Sequence, residues 1–200
     1  MDTQTIAKRC NLKSSETDIL VVAGHGGSGA DHWQKRLIAK LQSAQLVEQD
    51  DWLYGSLETA VDILCEAVAA TTKPVVFVAH SAGCVLIAHA VPKLHQAGLV
   101  DRLKGAYLVV PTAQAALSQL EGIDPAFKDI PREPLPFPSI LVASSNDPHS
   151  TLEESSDLAL AWGSQLVEAG AAGHINADSG HGPWPEGMMR FAGFLSKLQA

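Results

Sequence analysis

A serine stands between an apolar run and a helical stretch, in Ala79-His80-Ser81-Ala82-Gly83. The small residues Ala79 and Gly83 are what a tight strand-to-helix turn requires, because larger side chains there would clash with the backbone. Such a turn holds the hydroxyl above the sheet, at a helix N-terminus whose free amides favour developing negative charge. We therefore predict that Ser81 is a nucleophile and that the amide of Ala82 donates to an oxyanion. The alternative is that Ser81 only caps the helix, as serines often do.

A serine nucleophile needs a base to take its proton and a carboxylate to orient that base. On this kind of turn the chain order is serine, acid, histidine. Asp147 and His174 follow Ser81 in that order, each after a predicted strand. Because open α/β sheets carry their sites at the carboxyl ends of the strands, we predict a Ser81-Asp147-His174 triad. The alternative is an ordinary turn aspartate and one surface histidine among eight.

Other residues compete for these roles. His181 is the main alternative base, and Asp178 is the alternative acid, although its position breaks the chain order. We expect His80 to point away from its neighbouring serine, since a tight turn separates the two side chains. His149 is excluded because it follows the predicted acid too closely to lie across from it.

A glycine-rich loop, Gly24 to Gly29, follows the first apolar run and has two interpretations. In a hydrolase, a backbone amide at Gly26 or Gly27 would be the second oxyanion donor, since glycine allows close approach of the backbone. The loop also matches the G-x-G-x-x-G pattern of dinucleotide-binding oxidoreductases. Against that alternative, Asp31 lies in the first turn of the next helix, where it would repel a pyrophosphate.

The residues around the glycine loop give little support for a metal site or a phosphate site. His25, Asp31 and His32 are two histidines and one carboxylate on a loop, which is weak support for a metal site. We expect His32 and Trp33 to pack this loop against the sheet instead. No Lys-Ser or Lys-Thr follows the glycines, so a phosphate-binding P-loop is excluded.

Strands alternate with helices along most of the chain, and this alternation must position the candidate residues. Strands are predicted at 19–23, 46–47, 74–79, 105–110, 139–143 and 165–168, and helices at 31–41, 57–70, 82–95, 151–162 and 185–198, with Asp31 as a candidate cap or first-turn acid. The pattern predicts parallel βαβ units in a doubly wound sheet flanked by helices. We expect a loose arm over residues 1–16 and one domain over residues 17–200. The proline-rich stretch 111–138 is too short for a second domain, and whether it forms a small cap is open.

Composition limits the partners. The 200 residues carry a net charge of −8, which would repel a polyanion, so we expect neither a nucleic acid partner nor binding to an anionic membrane. The start of the chain shows no signal peptide, and no apolar run reaches the roughly 20 residues that span a bilayer. Three unevenly spaced cysteines indicate neither a disulfide framework nor a thiolate metal site. A cytoplasmic protein with reduced thiols fits these features.

Several motifs together resemble a known family, the small α/β-hydrolase serine hydrolases of the RBBP9/YdeN type. The motifs are Gly24 to Gly29 with Asp31-His32-Trp33, Gln49-Asp50-Asp51-Trp52, Ala79 to Gly83, Ser144 to Pro148 and Gly173-His174-Ile175-Asn176. The resemblance implies a compact α/β-hydrolase with minimal or no lid, the triad named above, and no metal or cofactor. The family's tryptophan segment is often followed by proline, which Trp52-Leu53-Tyr54-Gly55 lacks, so the role of Trp52 is open.

The expected activity is hydrolysis of a small ester, thioester or amide through an acyl-enzyme, as in a carboxylesterase. The partner would be a small-molecule acyl substrate, whose identity and chain length the sequence leaves open, as it does the oligomeric state. Acyl transfer to an alcohol or amine would use the same triad. A non-catalytic binding module on a hydrolase scaffold is the main alternative, followed by the dinucleotide-binding oxidoreductase.

Overall fold

One parallel sheet forms the centre of the computed structural model, which describes residues 16–198. Its strands are β1 (Asp18–Val22), β2 (Ala44–Leu46), β3 (Val75–His80), β4 (Leu103–Val109), β5 (Ser139–Ala143) and β6 (Gln165–Glu168). They lie in the order β2-β1-β3-β4-β5-β6, and every neighbouring pair is parallel. The predicted arm over residues 1–16 falls outside the described residues, except for residue 16.

Helices cover both faces of the sheet. They are α1 (Trp33–Lys40), α2 (Leu57–Ala70), α3 (Ala82–Gln96), α4 (Gln114–Leu117), α5 (Leu152–Trp162) and α6 (Pro185–Leu198), with 3-10 turns at Val100–Arg102 and Pro125–Lys128. Alternate residues of a strand point to opposite faces. In β1, Leu20 and Val22 accordingly pack with α2, α3 and α5, whereas Ile19 and Val21 pack with α1 and α6. The predicted doubly wound sheet is confirmed.

The helix after the glycine loop begins differently from the prediction. Asp31 was the expected cap or first-turn acid, but α1 has His32 as its N-cap and no acidic residue in its first turn. The ring nitrogen Nδ1 of His32 accepts a hydrogen bond from the amide of Gln34 at 3.2 Å. A histidine nitrogen therefore provides the acceptor that a helix start needs, which the sequence pattern assigned to a carboxylate.

The stretch 111–138 connects the carboxyl end of β4 to the amino end of β5. It holds α4 and the 3-10 turn Pro125–Lys128, and it buries Leu117 and Phe127 against the core shared with α2 and α3. No helix within residues 16–198 combines the length and hydropathy of a bilayer-spanning segment.

Candidate active site

The turn between β3 and α3 holds Ser81 in an unusual backbone conformation, with φ 57° and ψ −130°. A positive φ is uncommon for a residue with a side chain and is found preferentially at functional sites. The turn is anchored by the amide of Ser81, which donates to the carbonyl of Val109 in β4 at 3.0 Å. It also needs Gly83, because a Cβ there would lie 2.5 Å from the carbonyl oxygen of Ala23. The Ser81 side chain makes no capping hydrogen bond, so the alternative role as a helix cap has no support.

The three residues predicted as a triad form a hydrogen-bonded chain with His174 in the middle. Ser81 Oγ is 2.9 Å from His174 Nε2, and His174 Nδ1 is 2.9 Å from Asp147 Oδ1. The side chains of His174 and Asp147 are 9% and 1% exposed, so water screens this chain of contacts little. Asp147 Oδ1 also accepts from the amide of His149 at 2.9 Å.

The contacts define where the protons are. A carboxylate only accepts hydrogen bonds, so Nδ1 of His174 carries the proton that it donates to Asp147. Its Nε2 is then an acceptor and receives the hydroxyl proton of Ser81. This tautomer leaves His174 ready to act as a general base toward Ser81.

Thr112 is a site residue that the sequence analysis missed. Its Oγ1 lies 2.8 Å from Ser81 Oγ, and the residue is 1% exposed. Because Ser81 donates its only proton to His174, the hydroxyl of Thr112 donates to a lone pair of Ser81. Thr112 comes just after β4. A polar residue within three positions of a strand end, at the same sheet edge as the serine, was the one signal that pointed to it.

Two loops carry the acid and the histidine, and side chains from one loop hold the other. Asn146 Oδ1 accepts from the amide of Gly173 at 2.7 Å, and Ser144 Oγ accepts from the amide of Ala172 at 3.0 Å. From the opposite side, the indole of Trp33 donates to the carbonyl of Ile175 at 2.9 Å. These contacts position His174 from both directions.

Three further histidines surround His174. His80 makes no hydrogen bond to the Ser81 side chain, and its Nε2 donates to the carbonyl of His174 at 2.8 Å. The ring of His149 packs edge-on against that of His174, with 4.5 Å between centroids, and His32 contacts His80 at 4.7 Å. The sequence analysis excluded His149 as the base, and its packing against His174 is a contact that this reasoning did not foresee.

Burial keeps these neighbouring histidines neutral. It lowers the pKa of His80 well below its ordinary value, and repulsion from a protonated His174 acts in the same direction. Burial likewise lowers the pKa of His32 to about 4, and it lowers that of His149. Neutral rings add no net positive charge beside His174.

The competing candidates do not reach the serine. His181 Nδ1 lies 3.4 Å from Ser179 Oγ, and Asp178 lines a cavity beside Ser81 without a hydrogen bond to His174. Within residues 16–198, no cluster of three or more histidine, cysteine or acidic side chains could hold a metal ion.

The glycine loop differs from the prediction in which amides are free. The amide of Gly26 donates to the carbonyl of Trp52 at 2.9 Å, and that of Gly27 donates to the carbonyl of Gly24 at 3.0 Å. Both amides predicted as the second oxyanion donor are therefore already bonded within the protein. Among the described residues, the amides of His25 and Ala82 have no hydrogen-bond acceptor.

Gly24 lies directly against the nucleophile. A Cβ at this position would lie 2.7 Å from Ser81 Cβ and 3.2 Å from Ser81 Oγ. Further along the loop, a Cβ on Gly27 would lie 3.3 Å from the indole of Trp52. The indole of Trp52 therefore packs against the glycine loop, which answers the question that the sequence left open about this residue.

Two cavities meet at Gly24 and His25. The first has a volume of about 390 Å³, and its walls include Ser81, Thr112 and His174. The second has a volume of about 110 Å³, and its walls are Ala23, Gly24, His25, Gln49, Asp50, Asp51, Trp52, Leu53, Gly55, Ser56, Thr59, Ala60, Ala82, Gly83, Leu86, Ile123 and Phe127. A substrate at Ser81 would thus have space on both sides of the serine.

Comparisons with known proteins agree with this fold. A family model described as serine hydrolase matches residues 19–193, and the chain belongs to this family. None of the curated proteins matches the chain.

Solved structures resemble the chain over nearly its full length. A putative YdeN-like hydrolase from Pectobacterium atrosepticum is 29% identical with a TM-score of 0.82, and the match covers 97% of this chain and 98% of that one. The ydeN gene product of B. subtilis is 21% identical with a TM-score of 0.66, covering 90% and 99%. Esterase 2 of Thermogutta terrifontis is 19% identical with a TM-score of 0.63, covering 92% and 84%. The α/β-hydrolase fold and the resemblance to YdeN-type hydrolases are confirmed.

Proposed function

We propose that the protein hydrolyses a small ester, thioester or amide through an acyl-enzyme on Ser81. The observation that carries the proposal is the continuous hydrogen-bonded chain from Asp147 through His174 to Ser81, with both contacts at 2.9 Å. Membership of the serine hydrolase family supports the same reaction class. It also favours a hydrolase over the dinucleotide-binding alternative.

The reaction would proceed in two steps. His174 Nε2 takes the hydroxyl proton as Ser81 Oγ attacks the carbonyl carbon, while Asp147 holds the ring and stabilises the imidazolium. His174 then gives this proton to the leaving atom, and the acyl group stays on Ser81. His174 then takes a proton from water as the water attacks the acyl carbon; the bond to Ser81 Oγ breaks, His174 returns the proton to that oxygen, and the acid is released.

The oxyanion needs donors that are free when the charge develops. We assign this role to the amides of Ala82 and His25, which have no acceptor in the described part of the chain. The amides of Gly26 and Gly27, which the sequence analysis put forward, are bonded to backbone carbonyls and are poorly placed to change partners. The assignment of Ala82 is unchanged.

A binding module on a hydrolase scaffold would have the same triad residues without turnover. Fluorophosphonate labelling separates the two functions, because the probe forms a covalent bond only with an activated serine. We expect the unmutated protein and Ser81→Ala to differ completely in labelling, and hydrolysis of p-nitrophenyl acetate to fall at least about a thousandfold in the variant.

The control is Ser118→Ala, which removes an exposed hydroxyl that donates to the carbonyl of Gln114 in its own helix. It should label and hydrolyse like the unmutated protein. If the unmutated protein is not labelled, the proposed activity is wrong. Labelling that persists in Ser81→Ala would place the nucleophile elsewhere.

We also propose a cytoplasmic location and a small-molecule substrate without a nucleic acid partner. Cys65 and Cys84 are free and buried thiols, which suits a reducing compartment. The net charge of −8 opposes binding to a polyanion.

A further inference from the structure

We infer that the substrate is an ester of a short apolar acyl group and an uncharged, hydroxyl-rich alcohol, with each part in its own cavity. The inference rests on the proposed function of Ser81. For convenience, the 110 Å³ cavity is called the acyl cavity and the 390 Å³ cavity the alcohol cavity. The assignment follows from where the proton and the oxyanion must go.

The alcohol oxygen has to receive a proton from His174 when the ester bond breaks. His174 is in the wall of the 390 Å³ cavity and not in that of the 110 Å³ cavity. The departing alcohol must therefore lie in the larger cavity. Ser81 itself is in the same wall, so the bond that breaks lies at its mouth.

The acyl substituent occupies the remaining direction at the carbonyl carbon. Attack by Ser81 makes this carbon tetrahedral, with the serine oxygen, the oxyanion, the alcohol oxygen and the acyl chain as its four substituents. The oxyanion lies toward the amides of Ala82 and His25, and both residues are in the wall of the 110 Å³ cavity. With the alcohol on the histidine side, the acyl chain enters that smaller cavity.

The acyl cavity is small and largely apolar where it meets the core. Leu86, Ile123, Phe127 and Trp52 are among its walls, and Leu86 and Phe127 are 4% and 8% exposed. An apolar protein cavity of about 150 Å³ holds a benzene molecule, which has six carbons. On that scale, 110 Å³ accommodates an acyl chain of about four carbons.

The alcohol cavity is lined mainly by polar groups that can donate or accept hydrogen bonds. Besides Ser81 and His174, its walls include the polar residues Thr112 and Asn176 and the histidines His32, His80 and His149. Burial lowers the pKa of His32, His80 and His149, so these rings are neutral donors and acceptors. The wall contains no lysine or arginine, and it contains the acidic Asp178. This set suits hydroxyl groups and disfavours a phosphorylated or carboxylated alcohol.

The acyl assignment is tested with p-nitrophenyl acetate, butyrate and octanoate, which share one leaving group. We expect kcat/KM to be highest for acetate or butyrate and at least tenfold lower for octanoate. Ile123→Ala widens the acyl cavity and should raise octanoate relative to butyrate at least threefold. The matched control is Leu120→Ala, a half-buried residue of the same segment that lines only the alcohol cavity. It should leave the chain-length preference unchanged.

A variant that fills the cavity makes the test independent of any loss of folding in the first. Ala60 in α2 lines the acyl cavity, and Ala60→Leu should lower kcat/KM for butyrate at least fivefold while acetate changes less than twofold. Octanoate as the best ester of the unmutated protein would overturn the acyl assignment. A chain-length preference that changes in Leu120→Ala and not in Ile123→Ala would overturn it as well.

The alcohol assignment is tested with esters of one acid. Glyceryl monoacetate should be hydrolysed with a kcat/KM at least tenfold higher than hexyl acetate and than glycerol-phosphate acetate. A preference for hexyl acetate or for the phosphorylated ester would overturn the inference. These outcomes are separate from failure of the proposed function, in which the fluorophosphonate probe would not label Ser81 and none of the esters would be turned over.

Discussion

Two segments form the active site around the nucleophile, the turn that carries Ser81 and the glycine loop beside it, and they contribute to the site in different ways. The turn at Ser81 is buried on both sides, since all of β3 and the first seven residues of α3 are buried. It contributes the nucleophilic side chain of Ser81 and, next to it, the amide of Ala82. The loop from Gly24 to Gly29 is largely half-buried or exposed after its first residue, and it contributes backbone and empty space. A side-chain role is visible in the residue type, whereas a backbone role depends on which amides remain unbonded.

The strongest test of this difference places a side chain where the glycine loop meets the turn. Gly24→Ala puts a Cβ 2.7 Å from Ser81 Cβ, and a displacement of the nucleophile by about 1 Å can cost about a hundredfold in rate. We expect kcat/KM for p-nitrophenyl acetate to fall by about that factor. Gly29→Ala in the same loop is the control, because its Cβ would meet nothing within 4 Å. Equal activity of the two variants would show that close packing of Gly24 against Ser81 is not needed for the position of the nucleophile.

The second test concerns the side-chain half of the site. Thr112→Val keeps the shape of Thr112 but removes the hydroxyl that lies 2.8 Å from Ser81 Oγ. One hydrogen bond of about 1 kcal/mol corresponds to a fall in kcat/KM of roughly five- to tenfold. The fall should appear in kcat rather than KM, and Thr112→Ser should recover most of it. If Thr112→Ser is as impaired as Thr112→Val, packing of the methyl group matters and the hydroxyl does not.

The prediction with the smallest expected effect concerns His32, which follows the glycine loop and whose ring contacts that of His80 beside Ser81. Burial lowers the pKa of His32 to about 4, below its unfolded value of 6.5. The unfolded chain therefore binds more protons between these values, so the free energy of unfolding falls as the pH drops from about 6.5 to 4. His32→Asn keeps a capping acceptor for Gln34 but does not titrate. Between pH 7 and pH 5, we expect the free energy of unfolding of His32→Asn to fall less than that of the unmutated protein, by on the order of 1 kcal/mol. Urea denaturation at the two pH values measures this difference.

The lowered pKa values of His80 and His149 remain in that variant, so some pH dependence should persist. Identical pH dependence in His32→Asn and the unmutated protein would mean that His32 is accessible to protons in the folded state. The same measurement on His95→Asn, a change at an exposed position of α3, should reproduce the unmutated curve.

Most of the fold was predictable, because the buried strands are continuous apolar runs ended by glycine, proline or polar residues. The helices Leu57–Ala70 and Pro185–Leu198 and the strands Ser139–Ala143 and Gln165–Glu168 have the predicted bounds. The strand Leu103–Val109 begins two residues earlier than predicted. At this early start, its pairing with β3 changes register between Val75 and Val76. A residue such as Lys104 hides this start, since its type is unfavourable in a buried strand.

The site was only partly predictable for a related reason. Chain order and strand ends were enough to bring Ser81, Asp147 and His174 together as candidates, because parallel strands end at one edge. The contact of Thr112 with Ser81 depends on how far two neighbouring strands extend, and hydropathy does not report that. Which amides of the glycine loop are free depends on contacts made only in the fold, since the amide of Gly26 donates to Trp52 outside the loop and that of Gly27 to Gly24 within it.

The anchoring of Ser81 also sets how the geometry of the site is lost. Its amide donates to Val109 O, between two strands in the interior of the sheet, and its neighbours on both sides are buried. We expect such an amide to exchange its hydrogen with solvent through unfolding of the domain, whereas amides of half-exposed loops exchange through local opening. The lifetime of the nucleophile's geometry is therefore the lifetime of the native state.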